Sequence, residues 1–156
     1  MKRIYCAIGK LVEVTQNIEQ NIIDIIEISE IVKEFGRRGQ ITFAQYNQVV
    51  DDAKYLKNKM ETMTFGQMIS IVYESESLKY DEINELKVLL EKRNYFTHEY
   101  FKYTNFNGAN EEFIVEEFEA IKEYLKKSQN MLTKLELIQK GQTERLSYLK
   151  AKAGIN

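Results

Sequence analysis

The 156-residue sequence contains no proline and has only one cysteine, one histidine and seven glycines. Because proline breaks helices and glycine weakens them, their scarcity favours long uninterrupted helices. A single cysteine, Cys6, excludes an intramolecular disulfide and a cysteine-based zinc site, and a single histidine argues against a His-rich metal site. We therefore expect an all-α protein that binds no metal and no cofactor.

Other features are also missing. No apolar run reaches the length of a signal peptide or a membrane span, because Lys10 and Glu13 interrupt the first one. No glycine-rich phosphate loop follows a strand, which argues against a nucleotide-binding α/β enzyme. The net charge of −2 lacks the strongly basic balance of a non-specific nucleic-acid binder, so any such contact is local. These absences predict a cytoplasmic protein with no membrane partner.

Hydrophobic periodicity predicts one domain over residues 1–156, an antiparallel four-helix bundle with an extra short helix. A first long helix is expected over residues 3–35, with an apolar face broad enough to contact two neighbours. Thr42 with Gln45, and Thr64 with Gln67, have the spacing of capping boxes that open helices to about residues 60 and 73. Asn110 is expected to cap the final helix.

The expected breaks lie at glycines. Residues 36–39 predict a turn that presents Arg37 and Arg38 as a small basic knob, with a phosphate contact as the less favoured interpretation. Asn107 and Gly108 are expected to end the helix before them. Near Gly141 we expect a kink or break, followed by a short last helix and fraying of residues 151–156.

Residues 81–103 contain the only histidine and are expected to form one α-helix. At 100° per residue, Arg93 lies in the middle of the apolar stripe, where an arginine is rarely found without a partner. Asn94 flanks it, and His98 lies one turn beyond Asn94, so that the amide and the imidazole can pair. Such a cluster at the edge of a buried face suits a groove that binds substrate. The structural alternative is that Arg93 pairs with a core acid and His98 is an ordinary boundary residue.

The eight residues from 93 to 100, RNYFTHEY, resemble the Arg-polar-x-x-x-His signature of HEPN domains. They also fit the longer form Arg-x-x-x-x-His-x-Tyr of HEPN toxins that are paired with minimal nucleotidyltransferase antitoxins. The strict resemblance covers these eight residues, and the rest of the chain is similar only in size and helical pattern. It implies a HEPN-like helical domain and a homodimer that brings two copies of the motif into one cleft.

The chemistry suits RNA cleavage without a metal. An imidazole can remove the proton of a 2′-hydroxyl at neutral pH, and a guanidinium can stabilise the phosphorane that forms. We assign these roles to His98 and Arg93, with Asn94 as an orienting residue. The resemblance further implies a toxin or defence effector that a nucleotidyltransferase silences by adenylylating Tyr100. The alternatives are a non-catalytic HEPN-like module that binds a nucleotidyltransferase and a purely structural helical dimer.

Overall fold

The computed structural model describes residues 1–104 and 110–155, and these residues form helices with no strand among them. The helices are α1 (Lys2–Arg38), α2 (Phe43–Met60), α3 (Phe65–Ser75), α4 (Tyr80–Asn94), a π-helical turn (Tyr95–Glu99), α5 (Tyr100–Tyr103) and α6 (Glu111–Lys152). The all-α prediction is confirmed. The predicted stop at Asn107 and Gly108 lies outside the described residues.

Local capping signals set three of the helix starts. The side chains of Thr42 and Thr64 each accept a hydrogen bond from the backbone N–H three residues later. In turn, the side-chain oxygens of Gln45 and Gln67 accept from the backbone N–H of the same two threonines. The Asn110 side chain accepts from the N–H of Phe113 at 2.9 Å. These bonds satisfy donors that a helix start leaves free, so all three starts were correctly predicted.

Two of the predicted breaks are wrong. Residues 36–38 continue α1, which ends at Arg38 and is followed by Gly39 as its C-cap with a φ of 69°. Both Arg37 and Arg38 donate to Glu34 at 2.8 to 2.9 Å. Likewise α6 passes through Gly141 without a break and ends at Lys152. The helical cost of one glycine, about 1 kcal/mol, is small beside the packing of the apolar residues on either side of it.

The end of the chain is also more ordered than predicted. The N–H of Ile155 donates to the carbonyl of Lys150 at 2.9 Å, and the Ile155 side chain is 4% exposed in a cluster with Phe35 and Ile41. Burial of one isoleucine outweighs the tendency of a chain end to fray. Ile155 therefore belongs to the core, while residues 151–154 remain exposed.

The helix directions follow from contacts along the bundle. In α2, Lys57 reaches Asp24, whereas Ala53 packs with Phe35, so α2 runs antiparallel to α1. The third helix returns, and the carbonyl of Ser75 at its end accepts a hydrogen bond from Lys33. The segment from α4 to α5 then runs antiparallel to α6, because Glu85 of α4 pairs with Lys134 and Tyr100 of α5 pairs with Glu117.

The first and last helices run parallel to each other. Ile4 shares a buried cluster with Ile121, Asp24 accepts a hydrogen bond from Gln139, and Phe35 packs in a cluster with Leu149. The prediction of an antiparallel bundle is thus wrong for this pair, which forms the largest helix–helix interface among the described residues. The reason is the extra reversal of the chain that α3 introduces between α2 and α4.

Candidate functional site

The π-helical turn lies inside the segment that carries the candidate residues. The N–H of Tyr100 donates to the carbonyl of Tyr95, five residues before it, and Glu99 opens to a φ of −119°. Such a turn contains more residues than an α-turn, so positions beyond Asn94 leave the 100° spacing. The prediction of one continuous α-helix over residues 81–103 is therefore wrong, and so is the 100° spacing that placed His98 one turn beyond Asn94.

Arg93 lies at the boundary between α4 and α1, with its side chain 22% exposed. Its Nη2 donates to Oε1 of Glu19 on α1 at 3.0 Å, and its Nη1 donates to Oδ1 of Asn94, also at 3.0 Å. Burial raises the pKa of Glu19, and the neighbouring guanidinium only partly opposes that rise. The arginine on the apolar face has the acidic partner that the structural interpretation requires.

Asn94 and His98 are exposed, and they do not pair as the spacing suggested. The amide oxygen of Asn94 accepts from Arg93, so this side chain orients the guanidinium instead of the imidazole. Thr97 takes a position beside both residues, since its hydroxyl donates to the carbonyls of Arg93 at 2.8 Å and Asn94 at 3.3 Å. The ring of His98 makes no hydrogen bond or ion pair with residues 1–104 or 110–155, which leaves both ring nitrogens to solvent or to a ligand.

Tyr100 does not share the exposed surface of His98. The side chain is 1% exposed, packs edge to face against Phe96 and Phe101, and donates its hydroxyl proton to Oε2 of Glu117 at 2.8 Å. Burial, followed by the hydrogen bond to Glu117, raises the pKa of the phenol well above its usual value. Any reaction at this oxygen requires the contact between α5 and α6 to open first.

Two acids at the site were missed by sequence reasoning. Glu19 holds Arg93 and Glu117 holds Tyr100, from helices 74 and 17 residues away along the chain. In the sequence, Glu19 is marked only by its position beside the broad apolar stripe of the first helix. Several other acids have the same kind of position. The pairing depends on how α1, α4 and α6 align, which helical periodicity does not encode.

Among residues 1–104 and 110–155, no group of three or more His, Cys, Asp or Glu side chains is placed to hold a metal ion. None of the described helices has both the length and the apolar character needed to span a bilayer.

Comparison with known proteins adds no identification. No protein-family model, curated protein or solved structure matches the chain. The similarity to HEPN domains therefore rests on the residues of the motif and on the helical pattern.

Proposed function

We propose that the chain is a metal-independent endoribonuclease of the HEPN type, acting in the cytoplasm as a toxin or defence effector. The observation that supports it best is the exposed imidazole of His98, which lies in a π-helical turn directly after the helix end that carries Arg93. Turns of this kind interrupt α-helices at a cost in helix stability and are frequent at functional sites.

The proposed reaction begins at His98. Its neutral imidazole takes the proton of a ribose 2′-hydroxyl, the 2′-oxygen attacks the adjacent phosphorus, and the bond from phosphorus to the 5′-oxygen breaks. Arg93 stabilises the charge that builds on the phosphoryl oxygens, and Asn94 holds its guanidinium in place. The products are a 2′,3′-cyclic phosphate and a 5′-hydroxyl.

The departing 5′-oxygen needs a proton, and one protomer offers only one histidine. In the proposed homodimer, the partner subunit's copy of this histidine supplies the proton from a cleft lined by both motifs. The substrate phosphate also replaces the Glu19 carboxylate on Arg93, which is one anion exchanged for another.

Silencing by adenylylation of Tyr100 belongs to the same proposal, with a minimal nucleotidyltransferase as antitoxin. The modification requires the hydroxyl to leave Glu117, because an oxygen that is buried and hydrogen-bonded is not accessible to a second enzyme. Intact mass of the protein co-expressed with a nucleotidyltransferase is expected to show one AMP-sized addition at Tyr100. An unmodified mass would remove this part of the proposal.

One observation favours the alternative of a non-catalytic HEPN-like module that binds a nucleotidyltransferase. Arg93 is already neutralised by Glu19, which reduces its attraction for phosphate in the free protein. If this alternative holds, Arg93 is an interface or structural residue, and the protein co-purifies with the partner without cleaving RNA.

Cleavage of a mixed tRNA and messenger substrate in EDTA tests the proposal. The wild type should leave 2′,3′-cyclic phosphate ends, and Arg93→Ala and His98→Ala should each lose at least about 100-fold in rate. Lys102→Ala is the matched control, because it removes an exposed charge four residues beyond His98 and should retain activity. Equal cleavage by wild type and His98→Ala, with unchanged helicity, would refute the proposed ribonuclease activity at His98.

A further inference from the structure

A groove runs between the N-terminal third of α1 and the first turns of α6, with a volume of about 700 Å³. Four cations line it, and the surface exposed to the groove is almost entirely apolar, with contributions from Ala7 and Phe118. We call it the basic groove, after Lys2, Arg3 and Lys10 of α1 and Lys122 of α6. Its size is in the range of grooves and clefts that bind ligands.

The basic groove continues the surface that α2 covers farther along α1. Lys10 and Asp24 are 14 residues apart, so they lie within about 40° of each other around α1. Asp24 contacts Lys57 near the end of α2, and α2 stops at Met60. Beyond that point lies the buried cluster that contains Ile4 and Ile121. Its described side chains come only from α1, α6, the π-helical turn and α5. The groove is therefore the place where one more helix would complete the bundle.

The charges in the groove are the reverse of those under α2. Where α2 packs, the acidic residues are on α1 and the basic one, Lys57, is on the covering helix. In the groove α1 carries the cations, and Lys2, Arg3 and Lys10 make no ion pair with any residue in the described ranges 1–104 and 110–155. Within the same ranges, the one ion pair of Lys122 is a local pair with Glu119, and its ammonium also lies over the Phe118 ring. An occupant that matches this surface must supply negative charges beside an apolar stripe.

We propose that the basic groove binds an acidic amphipathic helix of a partner protein, which packs beside α1 and α6 as α2 does beyond it. Its apolar stripe is expected to be formed by small and medium side chains, because α2 packs on α1 with residues such as Val49, Ala53 and Leu56. Glutamates beside this stripe would meet the cations of the groove. A second copy of this chain placed groove to groove would instead bring eight cations together, which charge repulsion opposes.

The single cysteine provides a site-specific reporter. Cys6 is exposed and lines the groove, so alkylation of the native protein labels this position alone. The probe is an 18-residue peptide with Val, Ala, Leu and Met at the spacing of residues 49, 53, 56 and 60, flanked by glutamates. The control peptide has lysine at every glutamate. The acidic peptide is expected to bind saturably by fluorescence anisotropy and to slow alkylation of Cys6 at least about tenfold.

Paired variants locate the binding. Arg3→Glu with Lys10→Glu should weaken the acidic peptide at least about tenfold, whereas Lys54→Glu with Lys59→Glu on exposed positions of α2 should not. Circular dichroism of each variant checks that the helices remain. Failure of the acidic peptide to protect Cys6 better than the lysine peptide would overturn the proposal.

Two further outcomes would also overturn it. Protection of Cys6 that rises with protein concentration, together with a doubled mass, would assign the groove to a second copy of the chain. Equal protection by dodecanoate would assign it to small amphipathic anions. The test is separate from the ribonuclease assay, because it measures peptide binding and alkylation of Cys6 and involves no RNA.

Discussion

Lys57 and Arg93 are both cations placed between helices, and they are bound in different ways. Lys57 is 27% exposed and donates to two carboxylates, Asp24 at 3.0 Å and Glu27 at 2.9 Å. Arg93 is 22% exposed and has one carboxylate, Glu19, with the amide of Asn94 as its second acceptor. Similar burial therefore accompanies two acids in one case and a single acid in the other.

The acids that bind Lys57 and the acid that binds Arg93 also differ in their surroundings. Asp24 also accepts hydrogen bonds from Gln20 and from Gln139, so Lys57 belongs to a polar node that joins α1, α2 and α6. The hydrogen bonds to Glu27 and Asp24 raise the pKa of Lys57, which keeps its charge fixed. Burial instead raises the pKa of Glu19, and the charge of Arg93 only partly opposes this rise. The Lys57 node therefore joins three helices, whereas the Arg93 pair joins α4 to α1 through a single carboxylate.

The largest expected effect is the loss of the node. Lys57→Met keeps the apolar stem and leaves Asp24 and Glu27 as two neighbouring, uncompensated acids, so we expect a loss of about 2 kcal/mol in the free energy of unfolding at pH 7. Urea unfolding with an unchanged m-value measures it. Lys54→Met, an exposed lysine on the same helix, is the control and should change stability little.

Arg93→Met should cost about half as much, roughly 1 kcal/mol at pH 7, because only one acid loses its partner. Without the guanidinium, burial acts on Glu19 unopposed, so its pKa rises further and the loss should shrink as the pH falls toward 4.5. The same urea titrations at both pH values test it. A loss as large as that of Lys57→Met at pH 7 would show that the two pairs are equivalent.

The smallest effect is expected for Glu19→Gln, and its sign depends on pH. The folded-state pKa of Glu19 is above 4.5, so the folded protein binds this proton more tightly than the unfolded chain does. Wild-type stability attributable to Glu19 is therefore fully present below pH 4.5 and is lost as the pH rises through the folded pKa. Glutamine does not titrate, so Glu19→Gln should gain on the wild type over that interval. A stability difference independent of pH would contradict the raised pKa.

The features that the sequence predicted well are local. Thr42 with Gln45 and Thr64 with Gln67 satisfy the first free donors of their helices within three residues, so their structure depends on almost nothing else. The apolar spacing of Ile83, Leu86 and Leu89 likewise identified the buried face of α4. Sequence and structure agree for these features because the residues that determine each helix lie within the helix itself or next to its first turn.

What failed depends on packing between distant segments. The π-helical turn at Tyr95–Glu99 leaves no mark in the spacing of residues. It places Phe96 and Tyr100 in buried positions. Gly141 had the signal of a break, but the neighbours that keep α6 continuous come from α1 and α2. The partners of Arg93 and Tyr100 were missed for the same reason, since both acids lie on other helices.

The parallel packing of α1 and α6 has a consequence for how the chain folds. The bond between Asp24 and Gln139 spans 115 residues, and the interface of these two helices is the largest that the described residues form. During synthesis, much of the apolar face of α1 therefore remains uncovered until α6 has emerged from the ribosome. Contacts of such long sequence separation form late and slow the folding rate. This architecture delays the native packing of α1, and with it the candidate site, until α6 has been made.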